Sequence, residues 1–134
     1  MACSSYGLDD ILAGGCWIVE FADEFRPEFE GLPIDVQDEL LARAEILSRF
    51  GPRLGRPRVD TLKGSKHANM KELRFDAARG VWRVAFAFDP QRRAILLVAG
   101  NKAKLASTRF YKQLIRLADN RFDAHLERSQ LRSR

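Results

Sequence analysis

The residues of this sequence with the clearest chemistry are two arginines, Arg74 and Arg83, set in neighbouring segments of strand-like alternation. From Met70 to Asp76, Leu73 and Phe75 fall on one side and Glu72, Arg74 and Asp76 on the other. From Val81 to Phe88, Trp82, Val84, Phe86 and Phe88 share a side, opposite Arg83, Ala85 and Ala87. Ala77-Ala78-Arg79-Gly80 predicts a hairpin turn between them, with positive φ expected at Gly80. If the apolar sets face a core, both arginines leave the other face, where side chains directly across the ladder stand about 5 Å apart. Two cations so close repel, and a phosphate bound between them turns repulsion into attraction. Ala85 and Ala87 leave room for it. Lys102 follows the next apolar segment, Lys104 lies just beyond, and the preceding loop brings Lys63, Lys66, His67 and Lys71 to the rim. The expectation is a basic, concave sheet face suited to nucleic acid. The plainer alternative pairs Arg74 with Glu72 or Asp76, and Arg83 with Asp76. His67 then is an ordinary loop histidine and His125 a polar helix-end residue. Tyr111 is open between a half-buried structural tyrosine and a phenol that stacks on a base or exchanges a proton with a ribose hydroxyl.

Elements must hold these residues in place, and their order can be read along the chain. Trp17 to Phe21 is a short β-prone segment. Asp23-Glu24 can start a brief helix holding Phe25 and Phe29, closed by Gly31. Pro33 opens a second helix with Val36, Leu40, Ala44 and Leu47 at helical spacing, widened by Leu41 and Phe50 and stopped by Gly51-Pro52. Residues 51–69 read as loop. Three strands follow, the last the continuously apolar Ala94 to Ala99, which suits a strand covered on both faces. A final helix, capped by Ser107, carries Phe110, Leu114, Leu117, Ala118 and Phe122. The order β-αα-βββ-α predicts an α+β fold, a small antiparallel sheet with helices packed on one face.

The chain's 134 residues suffice for one domain. Net charge is +5, and its distribution is uneven. Residues 1–51 hold three basic and eleven acidic side chains, a net of −8, whereas residues 52–134 hold twenty basic and seven acidic, a net of +13. Such a split predicts one strongly positive surface that attracts polyanions by counterion release. Cys3 and Cys16 lie far from His67 and His125, a placement that fits reduced cytosolic thiols rather than a disulfide scaffold or zinc site. No metal, no cofactor, no secretory signal and no membrane span are expected. Residues 1–15 read as a flexible leader ending in Gly14-Gly15, residues 16–127 as the folded domain and residues 128–134 as a fraying basic tail.

Four runs in order carry a resemblance: Lys71-Glu72-Leu73-Arg74-Phe75, Trp82-Arg83-Val84-Ala85-Phe86, Gly100-Asn101-Lys102 and Arg109-Phe110-Tyr111, preceded by Asp60 to His67. The sequence resembles the RelE/ParE superfamily of type II toxin–antitoxin toxins, and within it the HigB-like, phage-derived Gp49-like branch, over about residues 17–126. The resemblance implies a RelE-like fold and a cytoplasmic toxin held by a small antitoxin, commonly a HigA-like protein with a helix-turn-helix. It implies translation inhibition by metal-independent cleavage of mRNA on the ribosome, the 2′-hydroxyl of the RNA acting as nucleophile. Arg74 and Arg83 would hold the scissile phosphate, Lys102 or Lys71 would be the base, and Tyr111 would stack or transfer a proton. Lys63, Lys66, His67, Lys71 and Lys104 would contact RNA. Glu72 stands where some ribonuclease members carry a second strand lysine, so acid and base stay unassigned. Two other functions fit the same fold: a ParE-like gyrase inhibitor, and a catalytically inactive nucleic-acid-binding or regulatory module.

Overall fold

The computed structural model describes residues 10–12 and 17–132. Cys3, Cys16 and most of the expected leader lie outside the described residues. In chain order the elements are β1 (Asp10–Leu12), β2 (Ile18–Phe21), α1 (Phe25–Glu30), α2 (Ile34–Phe50), β3 (Val59–Thr61), β4 (Met70–Ala77), β5 (Gly80–Phe88), β6 (Arg93–Asn101) and α3 (Ser107–Arg132). Single 3₁₀ turns at Gly51–Arg53 and Lys102–Lys104 join α2 to the loop and β6 to α3. The class is α+β with a RelE-like sheet, as expected.

The strand order is β1-β2-β6-β5-β4-β3. The β4-β5-β6 meander is antiparallel, and β2 adds to β6 in parallel, Ile18 opposite Arg93 and Phe21 opposite Leu96. Short strands lengthen both edges. Asp10–Leu12 pairs antiparallel with β2, and Val59–Thr61, inside the segment read as loop, pairs with Lys71–Leu73.

The helices divide between the two faces, where alternation in β4 and β5 predicted cover on one. Leu73, Val84 and Phe86 are fully buried on the side where α2 meets β4 and β2 and α1 meets β6. The buried row Val36, Leu40, Ala44 and Leu47 of α2 joins the same core, and Phe21, Phe25 and Phe29 form a ring cluster beside it. α3 lies across the other face. A Cβ on Gly100, which stands opposite Arg83, would meet the Phe110 ring at 2.7 Å. Ala85 and Ala87 are therefore fully buried, and the room expected beside them is filled. The reason is visible in β6: Ala94 to Leu97 are all fully buried, an apolar run that needs cover on both sides. Leu41 and Phe50, counted into the α2 stripe, are 38% and 48% exposed and lie off it.

Two local features depart from expectation for physical reasons. In the β4–β5 turn the positive φ angles fall on Ala78 (48°) and Arg79 (60°), as a two-residue primed turn demands, and not on Gly80. Gly80 answers a different need: a Cβ there would stand 2.7 Å from Asn101 Nδ2 and 2.8 Å from Trp82 Nε1. The second is the length of α3, which continues through Arg132. Arg128, on its last turns, pairs with Asp23 and Glu24, and Arg121 grips Glu28 and the Leu97 carbonyl. No helix among the described residues is long and apolar enough to cross a membrane.

Candidate functional site

Arg74 and Arg83 are direct partners in the β4–β5 ladder, and Glu72 lies next on the same face, opposite Ala85. Glu72 is the hub. Arg74 Nη1 donates to its Oε2 at 3.0 Å, the Tyr111 hydroxyl donates to the same oxygen at 3.3 Å, and Arg83 Nε stands 3.8 Å from Oε1. Arg83 Nη1 donates to the Trp82 carbonyl at 2.9 Å. Lys102 Nζ sits 5.3 Å from the centre of the Tyr111 ring, a cation over a π face. Two arginines thus flank one carboxylate, and the phenol closes the group from α3 with Lys102 over its ring.

Burial makes this arrangement consequential. Arg83 is 7% exposed and Glu72 3%. A buried guanidinium or carboxylate loses hydration that only good partners restore. Here the match is incomplete: Arg83 Nε and Glu72 Oε1 are buried without a hydrogen bond. A donor that is desolvated and unsatisfied is poised for an incoming acceptor, and a phosphate oxygen is the acceptor that suits guanidinium best. Burial pushes the Tyr111 hydroxyl above the usual phenol range, the Arg83 guanidinium works against this, and the Glu72 carboxylate adds to it. Tyr111 therefore keeps its proton at neutral pH and serves as a donor.

Arg74 and Arg83 also line an open cleft of about 460 Å³ with Arg43, Pro57, Arg58, Phe75 and Asp76. Sequence reasoning missed Arg43 and Arg58. Arg58 is delivered by β3, whose pairing was hidden in the loop, and the Arg74 amide donates to the Arg58 carbonyl at 2.9 Å. Arg43 sits on α2, and only the packing of α2 against β4 brings it to the cleft. Glu72 was legible, because it shares Arg74's alternation, and its pairing with Arg74 was one of the two readings left open.

Of the nine residues singled out from sequence, the fold gathers four: Arg74, Arg83, Lys102 and Tyr111. Lys71 lies opposite Phe86 in the ladder, on the parity of Leu73 and Phe75, and so belongs to the other face of the sheet from Arg74. Lys66 and His67 turn towards α3: the Lys66 side chain pairs with Asp123, the Lys66 amide donates to Asp119, and His67 Nε2 lies 2.8 Å from Asp123. The Lys66 contact holds the Asp123 carboxyl below its usual range, with burial opposing and His67 assisting. Asp119 and Asp123 follow Tyr111 along α3 by about 12–18 Å at 1.5 Å per residue. Lys63 is exposed in its loop, and Lys104 borders a separate groove with Gly100, Phe110 and Leu117. Among the described residues no cluster of three or more His, Cys, Asp or Glu side chains could hold a metal ion.

The family described as phage derived protein Gp49-like matches residues 27–123. The protein named "Putative toxin HigB2" of Mycobacterium tuberculosis (strain ATCC 25618 / H37Rv) is 47% identical over 97 residues, 72% of this chain and 48% of that relative. "Putative toxin HigB3" of the same strain is 43% identical over 93 residues, 69% of this chain and 79% of the relative. The chain thus spans about half the length of the first and about four-fifths of the second. No solved structure matches the chain significantly.

Proposed function

This chain belongs to the phage-derived Gp49-like family, and from that premise we propose that it is the toxin of a type II toxin–antitoxin pair, a HigB-like endoribonuclease that cuts mRNA on the ribosome. One observation carries the reading: two arginines directly opposed on one sheet face, one of them buried with an unsatisfied Nε, beside the Tyr111 hydroxyl that shares Glu72 with them. In this reading the 2′-oxygen of the RNA attacks the adjacent phosphorus and the bond from phosphorus to the 5′-oxygen breaks. A 2′,3′-cyclic phosphate and a free 5′-hydroxyl result. Arg74 and Arg83 hold the phosphate and stabilise the charge that builds on its oxygens. Tyr111 supplies the proton to the departing 5′-oxygen, Lys102 adds positive charge beside it, and the proton of the 2′-hydroxyl passes to water. Glu72 orients Arg74 and Tyr111 without touching substrate.

The partner in this reading is a cognate antitoxin with a helix-turn-helix region. Incubating the protein with ribosomes and a defined mRNA, then mapping the new 5′ ends, tests the proposal. Cuts within codons that vanish in Arg83→Ala are expected. An intact message together with inhibition of gyrase supercoiling would replace it with the ParE-like alternative.

A further inference from the structure

Beyond the paired arginines the cleft continues around the edge of β4. The β3–β4 ladder ends beside Arg58, whose carbonyl accepts from the Arg74 amide, and the cleft there is lined both by Arg74 and Asp76 and by Phe75, whose parity is that of the opposite face. Its far wall is Arg43 and Arg58, with Asp76 the one carboxylate and Pro57 and Phe75 the apolar lining. Both arginines have capacity to spare. Arg43 gives Nη2 to Glu39 at 3.2 Å, but its Nε is buried without a hydrogen-bond partner. Arg58 is exposed and has no carboxylate within ion-pair distance among the described residues, whereas neighbouring Arg56 is held by Asp60. Arg43 is also one of three basic residues in the acidic first part of the chain, and the fold brings it against β4. Arg83, more than nine-tenths buried, lines the same cleft with its own unsatisfied Nε. Two unsatisfied guanidinium donors, on different elements lining one open cleft, suit a ligand with two anionic groups in series.

We propose that Arg43 and Arg58 form a second phosphate subsite, which takes the phosphodiester of the nucleotide adjoining the scissile bond. The proposal deepens the RNA-cleavage reading and rests on it. It gives the cleft a direction: the strand crosses Arg74 and Arg83 and leaves over the end of β3 towards α2. Each contact is a charge-assisted hydrogen bond, which makes it strong and dependent on salt.

The test uses the full chain without ribosomes and two 2′-O-methyl RNA probes that cannot be cut, a dinucleotide with one phosphodiester and a trinucleotide with two. Affinities are read by fluorescence at several salt concentrations. Arg43→Ala and Arg58→Ala should each weaken the trinucleotide about tenfold, lower its salt slope by about 0.7, and leave the dinucleotide unchanged. Arg83→Ala should weaken both probes. Arg58 is exposed, so its variant reports even if Arg43→Ala fails to fold. If Arg58→Ala weakens both probes equally, or neither, the separate subsite is overturned while the cleavage reading stands. If Arg83→Ala affects neither probe, the cleavage reading falls and the subsite with it.

Discussion

Arg83, like Glu72 beside it, is charged, buried and one hydrogen bond short. Replacing it with Ala should cost about 100-fold or more in cleavage rate, as loss of one stabiliser of developing charge typically does. Arg83→Lys should recover little, because an ammonium cannot reproduce the planar fork. Circular dichroism and a melting curve on both variants check that the loss is chemical; a collapsed fold would make Arg83 a structural cation. Tyr111 permits a sharper measurement. Glu72 raises its pKa and Arg83 lowers it, on top of burial. Glu72→Gln should therefore move the Tyr111 titration down and Arg83→Ala should move it up. Absorbance titration in a Tyr6→Phe background isolates the one remaining phenol. Movement in the same direction in both variants would contradict the arrangement around Glu72. At this scale the sequence was informative where alternation governs: Arg74, Arg83 and Glu72 share a parity that can be read directly. It was uninformative for Arg43, because nothing in the spacing of α2 says which strand its polar margin will meet.

Turns and crossings decide what the elements can do. Ala78 and Arg79 hold left-handed backbone without the glycine that makes it easy. Asn-Gly at these two positions should stabilise the domain by about 1 kcal/mol, seen as a higher denaturant midpoint with unchanged activity. Gly100→Ala should do the opposite. Its new Cβ would press on Phe110 at 2.7 Å, push α3 off the sheet and displace neighbouring Tyr111. A loss of roughly 1–3 kcal/mol is expected, with cleavage falling further than stability alone explains. A third junction ties the β5–β6 turn to α3, where Asp89 accepts from His125 and from the amides of Gln91 and Arg93. Burial would raise the Asp89 carboxyl, but these hydrogen bonds outweigh it and hold it below its ordinary 3.8. A carboxyl depressed by folding contributes stability that is complete above the unfolded value and fades as pH falls through the folded one. Melting temperature should accordingly drop below about pH 4, and Asp89→Asn should flatten that acid limb while being less stable at neutrality. The meander was legible because its period is two and its turns are short. The edge strands and the second layer were not, since three-residue segments carry no period and alternation does not reveal that a polar row will be roofed by a helix.

The whole molecule is polarised, its acidic N-terminal part folded against a basic remainder. On the proposed reading, an acidic antitoxin segment should seek the open cations. Reversing Arg58, Lys63 and Lys104 to Glu should weaken antitoxin binding and flatten its salt dependence, and reversing Glu39 and Glu45 to Lys should not. The inverse result would seat the antitoxin on α2. The charge split itself was plain from sequence, but that Lys66 and His67 would turn to Asp123 was not, because that contact joins residues more than fifty positions apart. The parallel pairing of β2 with β6 has a consequence in time. Ile18 finds Arg93 only after the intervening residues have been made, about 4–15 seconds at ordinary rates of synthesis. Tyr111 and the helix that roofs Arg83 come later still. The group of Arg74, Arg83, Glu72 and Tyr111 therefore comes together only after α3 has been made. On the proposed reading, an antitoxin already present has an interval of seconds in which to reach a chain whose site is not yet assembled.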